Sequence, residues 1–376
     1  MKYFFILGRN PILSKAEVYS VLTMKKVKFE EIVFDKNLLI LEIEEDVKLD
    51  VQEFGGILKY GVVVFTGKSI EELTDFIADN DLVDVEKFSY SINGNLSWDV
   101  EEILSDKFKQ ERRKAVVRRR ARGLKLQGTA ENEEEEEIEI LKGDFEFFVH
   151  EGGDNTIYFG IIRDRYSYKD VKSRDMKKPV RRESLAISPR LSKILINLSQ
   201  VEKGGLLLDP FCGVAGILQE ALIKGVNCYG IDKDLKAIEN ARKNLRWVEN
   251  NYGINASYIL LNTDARKTPE SLKFDAIVSE PELGEIVRRK PNEIQASQII
   301  ERFEKLIVSV IQRVKKMKKP GAKIVFTAPA IRQYSIDIKS IEKKTGLKQN
   351  NLEGVRFPIK EFRRESFIGR DIWVLE

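Results

Sequence analysis

The sequence predicts an α/β protein: a Rossmann-like, doubly wound and mostly parallel sheet in the C-terminal half, preceded by an α+β region. Three observations predict it. From about residue 184 onward, short apolar runs alternate with amphipathic helical patterns, as successive strand–helix units require. A glycine-rich turn, Asp209-Pro-Phe-Cys-Gly213-Val-Ala-Gly216, falls directly between the first strand and its helix. Before residue 184 the patterns are mixed, and Gly152-Gly153-Asp154-Asn155 separates two apolar runs in the manner of a hairpin.

The elements follow in order. Tyr3–Leu7 is an apolar run closed by Gly8-Arg9-Asn10-Pro11 and reads as a strand. Ser14–Thr23 reads as a helix with Ser14 as N-cap, and Glu31–Phe34 and Leu38–Ile43 as strands. Leu58–Phe65 is a further strand, and Ser69–Asn80 a helix capped by Ser69. Residues 1–65 therefore suggest a small unit of ferredoxin-like character. In residues 66–165 the expected order is a strand from Ser89, a basic helix, a strand at Leu124–Gln127, and the hairpin Glu146–His150 with Thr156–Ile162. Residues 166–183 are charged, contain a proline and read as an interdomain linker. In 184–376, helices are expected at Ser188–Leu198, Ile217–Lys224, Leu235–Glu249 and Asn292–Met317. Strands are expected at Leu206–Leu208, Asn227–Ile231, Ser257–Leu261, Phe274–Ser279, Lys323–Thr327, Val355–Pro358 and Ile372–Leu375, the last pair antiparallel because its connection is short.

Composition bounds the chemistry. The 376 residues suffice for two or three domains, and 42% hydrophobic content argues for packed cores. The single histidine, His150, and two cysteines, Cys212 and Cys228, exclude a disulfide framework and a Cys/His zinc cluster. Ser-His-Asp hydrolysis is left with one candidate base. The N-terminal run is too short for a signal-peptide core, and no stretch approaches the ~18 apolar residues of a membrane span. A cytoplasmic protein is the expectation.

The net charge of +4 hides an asymmetry. Residues 107–122 hold nine Lys/Arg and one Glu, and residues 131–139 hold seven Glu. The basic block has no Pro or Gly before Gly123, so it predicts a helix. Arg112, Arg113, Lys114, Arg118, Arg119 and Arg120 would make it a phosphate-binding surface. The alternative is a solvated helix, or one pairing with the acidic run. The Glu run reads as a flexible loop.

Four features fall at the carboxyl ends of successive strands, where open α/β sheets bind ligands. The turn Asp209–Gly216 lets backbone approach a ligand and places a helix N-terminus behind it, without GxGxxG spacing or a Walker lysine. Asp232 follows about 20 residues later, suited to a ribose diol. Asp264, in Asn262-Thr263-Asp264-Ala265, can accept from an adenine amine. Ser279-Glu280-Pro281-Glu282-Leu283-Gly284 closes the fourth strand. Each piece alone is often structural, a tight joint or an N-cap. One per strand, in this order, points to a nucleoside-bearing cofactor.

Residues 184–376 resemble a class I S-adenosylmethionine-dependent methyltransferase domain. Most of the chain, and its cofactor half most strongly, is similar to the THUMP-domain tRNA methyltransferases that act on the exocyclic amine of guanosine-10 in archaea and eukaryotes. Three stretches carry the resemblance: Met1–Leu22, with Leu7-Gly8, Pro11 and Ser14-x-x-Glu17-Val18; Arg174-Asp175, Pro179, Ser188-Pro189-x-Leu191, Leu195 and Asn197-Leu198; and Asp209–Gly216 with Gly225 and Gly230-Ile231-Asp232. The resemblance implies an N-terminal ferredoxin-like domain over 1–65, a THUMP-like RNA-binding domain over 66–165, and a catalytic domain over 184–376. It implies S-adenosylmethionine as cofactor, with Asp209, Gly213 and Gly216 around its methionine end. Asp232 would hold the ribose, Asp264 the adenine, and Ser188 and Pro189 the approach, with Phe211 and Ala265 also among the cofactor-binding residues.

The fourth motif departs from the family, which carries Asp/Asn-Pro-Pro-Tyr/Phe there. Here Glu280 keeps the carboxylate with one more methylene, Pro281 is kept, Glu282 replaces the second proline and Leu283 the aromatic. Base stacking worth ~1–3 kcal/mol is lost at that place. Glu280 would orient the target amine, and Glu282 or Glu280 could accept from guanine N1–H and N2–H, a catalysis of orientation and proximity. The motif could alternatively have degenerated or serve a different nucleophile. Cys212 reads as a small buried filler and His150 as a packing residue. Arg288 and Arg289, with arginines of residues 362–370, could bracket a phosphate backbone, or be ordinary surface charge. The expectation is an RNA methyltransferase acting on a tRNA guanosine N2 amine, on a base that must leave its stack, with no metal and no membrane. A DNA amine methyltransferase and a non-catalytic RNA-binding protein are the alternatives.

Overall fold

Two sheets organise the chain. The computed structural model describes residues 1–44, 46–119, 143–181, 187–283, 289–362 and 367–376, and these cluster into two units. The first comprises Met1–Gly8, Lys28–Val51 and Ile57–Tyr168; the second comprises Arg9–Val27, Gln52–Gly56 and Lys169–Glu376.

In the first unit, β1 (Lys2–Leu7), β2 (Phe29–Asp35), β3 (Leu38–Ile43), β4 (Ile57–Gly67), β5 (Lys87–Gly94), β6 (Lys114–Val117), β7 (Phe145–Glu151) and β8 (Ile157–Arg165) form one sheet in the order β2-β3-β1-β4-β8-β7-β5-β6. Strands from 1–65 and from 66–165 thus share a single sheet. Helices Ile70–Asp79 and Ser97–Gln110 cover one face. Leu73, Ile77, Val100, Leu104 and Phe108 pack there on Phe88, Tyr90, Phe147 and Phe159. Phe148, the next residue along β7, points to the opposite face by the two-residue strand period and stacks on Phe4 at 4.1 Å. Ser69 caps its helix as expected, accepting from Glu72 N at 3.2 Å.

Several expectations are corrected. Over its described residues the basic block is not a single helix: residues 107–110 end the helix at Gln110, Arg112 takes φ +57°, and Lys114–Val117 pairs in parallel with β5 as the last strand of the described sheet. Two consecutive β-branched valines, Val116 and Val117, favour a strand, and an edge strand tolerates flanking charge. Ser14 is not an N-cap. The helix starts at Pro11 with Asn10 accepting from Leu13 N at 3.2 Å, so a proline at the first helical position outweighs the serine. That helix clusters with the second unit. Residues 168–177, within the expected linker, form a helix. The strand expected at Val355–Pro358 lies instead at Ile359–Glu361. Leu124–Gln127 and the Glu run lie outside the described residues.

The second unit holds β9 (Leu206–Asp209), β10 (Asn227–Asp232), β11 (Tyr258–Asn262), β12 (Phe274–Ser279), β13 (Lys318–Ala330), β14 (Ile359–Glu361) and β15 (Gly369–Leu375), ordered β11-β10-β9-β12-β13-β15-β14. The first five of that order are parallel, and β15 runs antiparallel to both β13 and β14. Leu208, Ile231, Ile277 and Phe326 join a core with Phe303, Ile307 and Ile311 of helix Glu293–Val314. Their buried neighbours Leu207, Val278 and Val325 serve the other face. Helix Ile338–Thr345, which sequence periodicity did not reveal, adds Ile341 to that core. Helix Pro11–Met24 is tied to helix Pro189–Leu198 by Glu17, wholly buried. Its carboxylate accepts from Gly55 N at 2.8 Å, Gly56 N at 2.7 Å and Asn197 Nδ2 at 2.7 Å.

Candidate functional site

The carboxyl edge of the parallel strands collects the acidic residues. β10, β9 and β12 are neighbours in the sheet. Their carboxyl ends bring Asp232, Asp209 and Glu280 side by side. Asp209 is 2% exposed. Its Oδ1 accepts from Ser279 Oγ at 2.5 Å and from Phe211 N at 3.1 Å. Burial pushes its carboxyl up to about 7; the two hydrogen bonds oppose that shift and the charges of Asp232 and Glu280 add to it.

Between Asp209 and helix Gly216–Ile223 the loop turns through left-handed backbone at Gly213 (φ +52°) and Ala215 (φ +72°). A Cβ at Gly213 would meet nothing within 4 Å, so the glycine is there for its backbone angle and an open face. Ala215 supplies no side-chain cap, which leaves the helix's first-turn N–H groups to a ligand. Asp232 is held by backbone: Oδ2 accepts from Gly213 N at 3.0 Å and Oδ1 from Asp234 N at 2.9 Å. The loop is tethered from outside by Asn244, whose Nδ2 donates to Val214 O at 2.9 Å and to Val180 O at 3.0 Å. Asn244 sits mid-helix and no sequence pattern marks it.

The other expected residues fall as follows. Ser188 caps helix Pro189–Leu198, accepting from Leu191 N at 3.2 Å, with Pro189 at the first helical position. Phe211 and Ala265 pack against the core cluster. Asp264 lies just past β11, where Arg266 binds both its oxygens, Nε at 2.9 Å and Nη2 at 2.5 Å, and holds its carboxyl below the usual range. Cys212 is buried, with its thiol pushed well up by burial, which fits the filler role. His150 is buried in the first unit near Asp35, and burial lowers its pKa.

In the fourth motif Pro281 is buried, Glu282 is exposed and Leu283 packs on the core, so Leu283 does not present itself as a stacking platform. Glu280 is bonded to Arg370 Nε of β15. Arg370 is only 9% exposed at its side chain and also faces Glu361 at 3.5 Å. It is therefore an interior ion-pair residue, a correction to its expected place among surface arginines. Sequence reasoning missed this pair because 90 residues separate its members. Among the expected RNA contacts, Arg112, Lys114 and Arg118 are exposed, Arg113 is engaged by Glu111 and Asp81, and Arg119 by Glu101. Arg289 is exposed, while Arg120 and Arg288 lie outside the described residues. Among the described residues no group of His, Cys, Asp or Glu could hold a metal ion, and no helix is long and apolar enough to cross a membrane.

Residues 178–319 match the family described as UPF0020, an RMKL-like methyltransferase domain. The tRNA (guanine(10)-N2)-dimethyltransferase of Methanothermobacter thermautotrophicus is 35% identical over 156 residues, 42% of this chain and 41% of that relative. The protein of the same name from Pyrococcus abyssi is 25% identical over 291 residues, 76% of this chain and 78% of its own length. The match thus spans less than half of the first relative and about three quarters of the second. The crystal structure of TrmN from Thermus thermophilus aligns over 100% of this chain and 99% of that one, with TM-score 0.52 and 14% identity, a likeness of fold. Residues 178–319 thus match a methyltransferase domain family, and the similar curated proteins carry the name of tRNA (guanine(10)-N2)-dimethyltransferases.

Proposed function

We propose that this protein is an S-adenosylmethionine-dependent methyltransferase that methylates the N2 amine of a guanosine in tRNA. The observation that carries the reading is the row Asp232, Asp209, Glu280 on three adjacent parallel strands, beside an uncapped helix N-terminus. The chain's residues fit the cofactor. The free N–H groups after Ala215 suit its carboxylate, the backbone-held Asp232 suits a ribose diol, and Asp209 suits a cationic centre. Asp264 and Ala265 would face the adenine, and Ser188 and Pro189 the approach. When bound, S-adenosylmethionine supplies an electrophilic methyl group.

The protein's part is positioning. Glu280 would accept from the target amine and turn its nitrogen lone pair toward the side from which the cofactor would supply its methyl group. Transfer would exchange the methyl–sulfur bond of the sulfonium for a methyl–nitrogen bond, leaving a neutral thioether, and Glu280 or solvent would accept the one proton the amine sheds. Such catalysis rests on orientation and requires no imidazole or thiolate, in keeping with a chain that has one histidine and two buried cysteines. In this reading the first unit, including the THUMP-like stretch 66–165, docks the tRNA through Arg112, Lys114 and Arg118, and Arg289 adds a contact on the second unit. The free, buried cysteines support a cytoplasmic setting. The names of the relatives support guanosine-10 as the target.

The test is methyl transfer to unmodified tRNA and to duplex DNA in parallel, followed by mass mapping of the modified nucleoside. N2-methylated guanosine in tRNA alone is the expected result. Methyl transfer to DNA, or cofactor binding without transfer to any nucleic acid, would establish one of the alternatives.

A further inference from the structure

Four side chains, Arg9, Glu361, Arg370 and Glu280, form an alternating chain of charge along the carboxyl edge of the second sheet. Arg9 Nη2 lies 2.5 Å from Glu361 Oε1, Arg370 Nη1 lies 3.5 Å from Glu361 Oε2, and Arg370 Nε donates to Glu280 Oε1. The side chains of Glu361, Arg370 and Glu280 are only 9–10% exposed. The four formal charges cancel, as burial requires. Arg370 Nη2 and Glu280 Oε2 have no hydrogen bond or ion pair among the described residues. The pair sits at the reaction edge: Glu280 follows β12, and its charge is felt by Asp209.

We propose that Arg370 is a specificity-determining residue that reads O6 of the target guanine while Glu280 reads N1–H and N2–H. The inference rests on the function proposed above. A guanine Watson–Crick edge presents one acceptor, O6, followed by two donors, N1–H and N2–H. An arginine joined to a carboxylate presents the complement, a donor followed by an acceptor. The pairing also accounts for the departure at the fourth motif. The extra methylene of Glu280 lets its carboxylate reach Arg370, and that contact fixes the rotamer of a longer, freer side chain. The arginine fork then takes over part of the base recognition that an aromatic ring would otherwise supply by stacking. Adenine, with a donor at position 6 and a bare N1, would set donor against donor and lone pair against carboxylate.

The test uses tRNA assembled with either guanosine or 2,6-diaminopurine riboside at position 10, the position in the relatives' names. The analogue keeps the N2 amine, replaces O6 by an amine and removes N1–H. The values of kcat/KM on both acceptors are compared for the wild type, Arg370→Met and Arg370→Lys. The wild type should prefer guanosine by ~100-fold or more, since a well-made bidentate contact discriminates at about that level. Arg370→Met should shrink the preference by ~10-fold or more. Arg370→Lys, which keeps the charge but loses the fork, should fall between them. Cofactor binding by calorimetry should be unchanged in both variants. An equal loss on both acceptors, with the wild-type ratio preserved, overturns the inference and leaves methyl transfer standing. If Arg370→Met does not fold, a wild-type ratio in Arg370→Lys overturns it instead. A folded wild type that methylates neither acceptor overturns the proposed function, and this inference with it.

Discussion

Ser279 Oγ donates to Asp209 Oδ1 at 2.5 Å, tying the carboxyl ends of the adjacent parallel strands β12 and β9. The serine begins one strand-end motif and the aspartate begins another. The two motifs are therefore one site physically, although their linked side chains stand 70 positions apart in sequence.

Asp209 makes stability depend on pH in a defined window. Burial raises its folded pKa from 3.8 to about 7. A carboxyl shifted upward contributes stability that is fully present below about pH 4 and is lost as pH rises through about 7. Asp209→Asn removes that dependence. The melting temperature of the wild type minus that of Asp209→Asn should fall steadily from pH 4 to 7 and level off near pH 8. Parallel melting curves across the range would contradict the burial assigned to this carboxylate.

Glu17 is the second buried carboxylate with a structural consequence. Three donors converge on it: Gly55 N, Gly56 N and Asn197 Nδ2. Glu17→Ala strands all three and should cost ~3–5 kcal/mol in denaturant unfolding of the second unit. Glu17→Gln keeps two acceptor positions' worth of volume with one oxygen and should cost ~1–2 kcal/mol. Equal, small losses for both would show that the donors find other partners.

The basic residues divide into two groups that salt dependence can separate. Lys114 and Arg118 are exposed, whereas Arg113 and Arg119 are engaged by carboxylates. Lys114→Gln and Arg118→Gln should each lower the slope of log K against log salt for tRNA binding by about one. Arg113→Gln should leave the slope near that of the wild type. Identical slopes in all variants would remove this strand from the docking surface.

Much of this architecture is legible in the sequence where local signals and tertiary packing agree. Leu38–Ile43 and Phe274–Ser279 are found at their expected bounds because each carries an uninterrupted apolar stretch, Leu38–Leu41 and Ala276–Val278, with polar residues close on either side. Ser188 and Ser69 cap their helices because no stronger start signal competes. The basic block misleads because charge says nothing of period, and the strand preference of Val116-Val117 is decided by pairing with Lys87–Tyr90, far away in sequence. In the site, Asp209, Gly213 and Asp232 stand on one local strand–turn–helix signal and its successor. Arg370, Glu361 and Asn244 reach the site only through sheet order and helix packing, which spacing along the chain does not encode.

Glu280, directly after β12, is the residue proposed to hold the acceptor amine. The direct measurement is N2-methylguanosine formed per enzyme on unmodified tRNA, compared between the wild type and Glu280→Gln with cofactor binding verified in both. A glutamine loses the negative charge that binds Arg370 and offers one acceptor oxygen where the carboxylate offers two. The predicted result is product from the wild type and a loss of ~100-fold or more in the variant, the scale on which misplacing a reacting group slows a reaction that depends on positioning. Full activity in Glu280→Gln would contradict the claim.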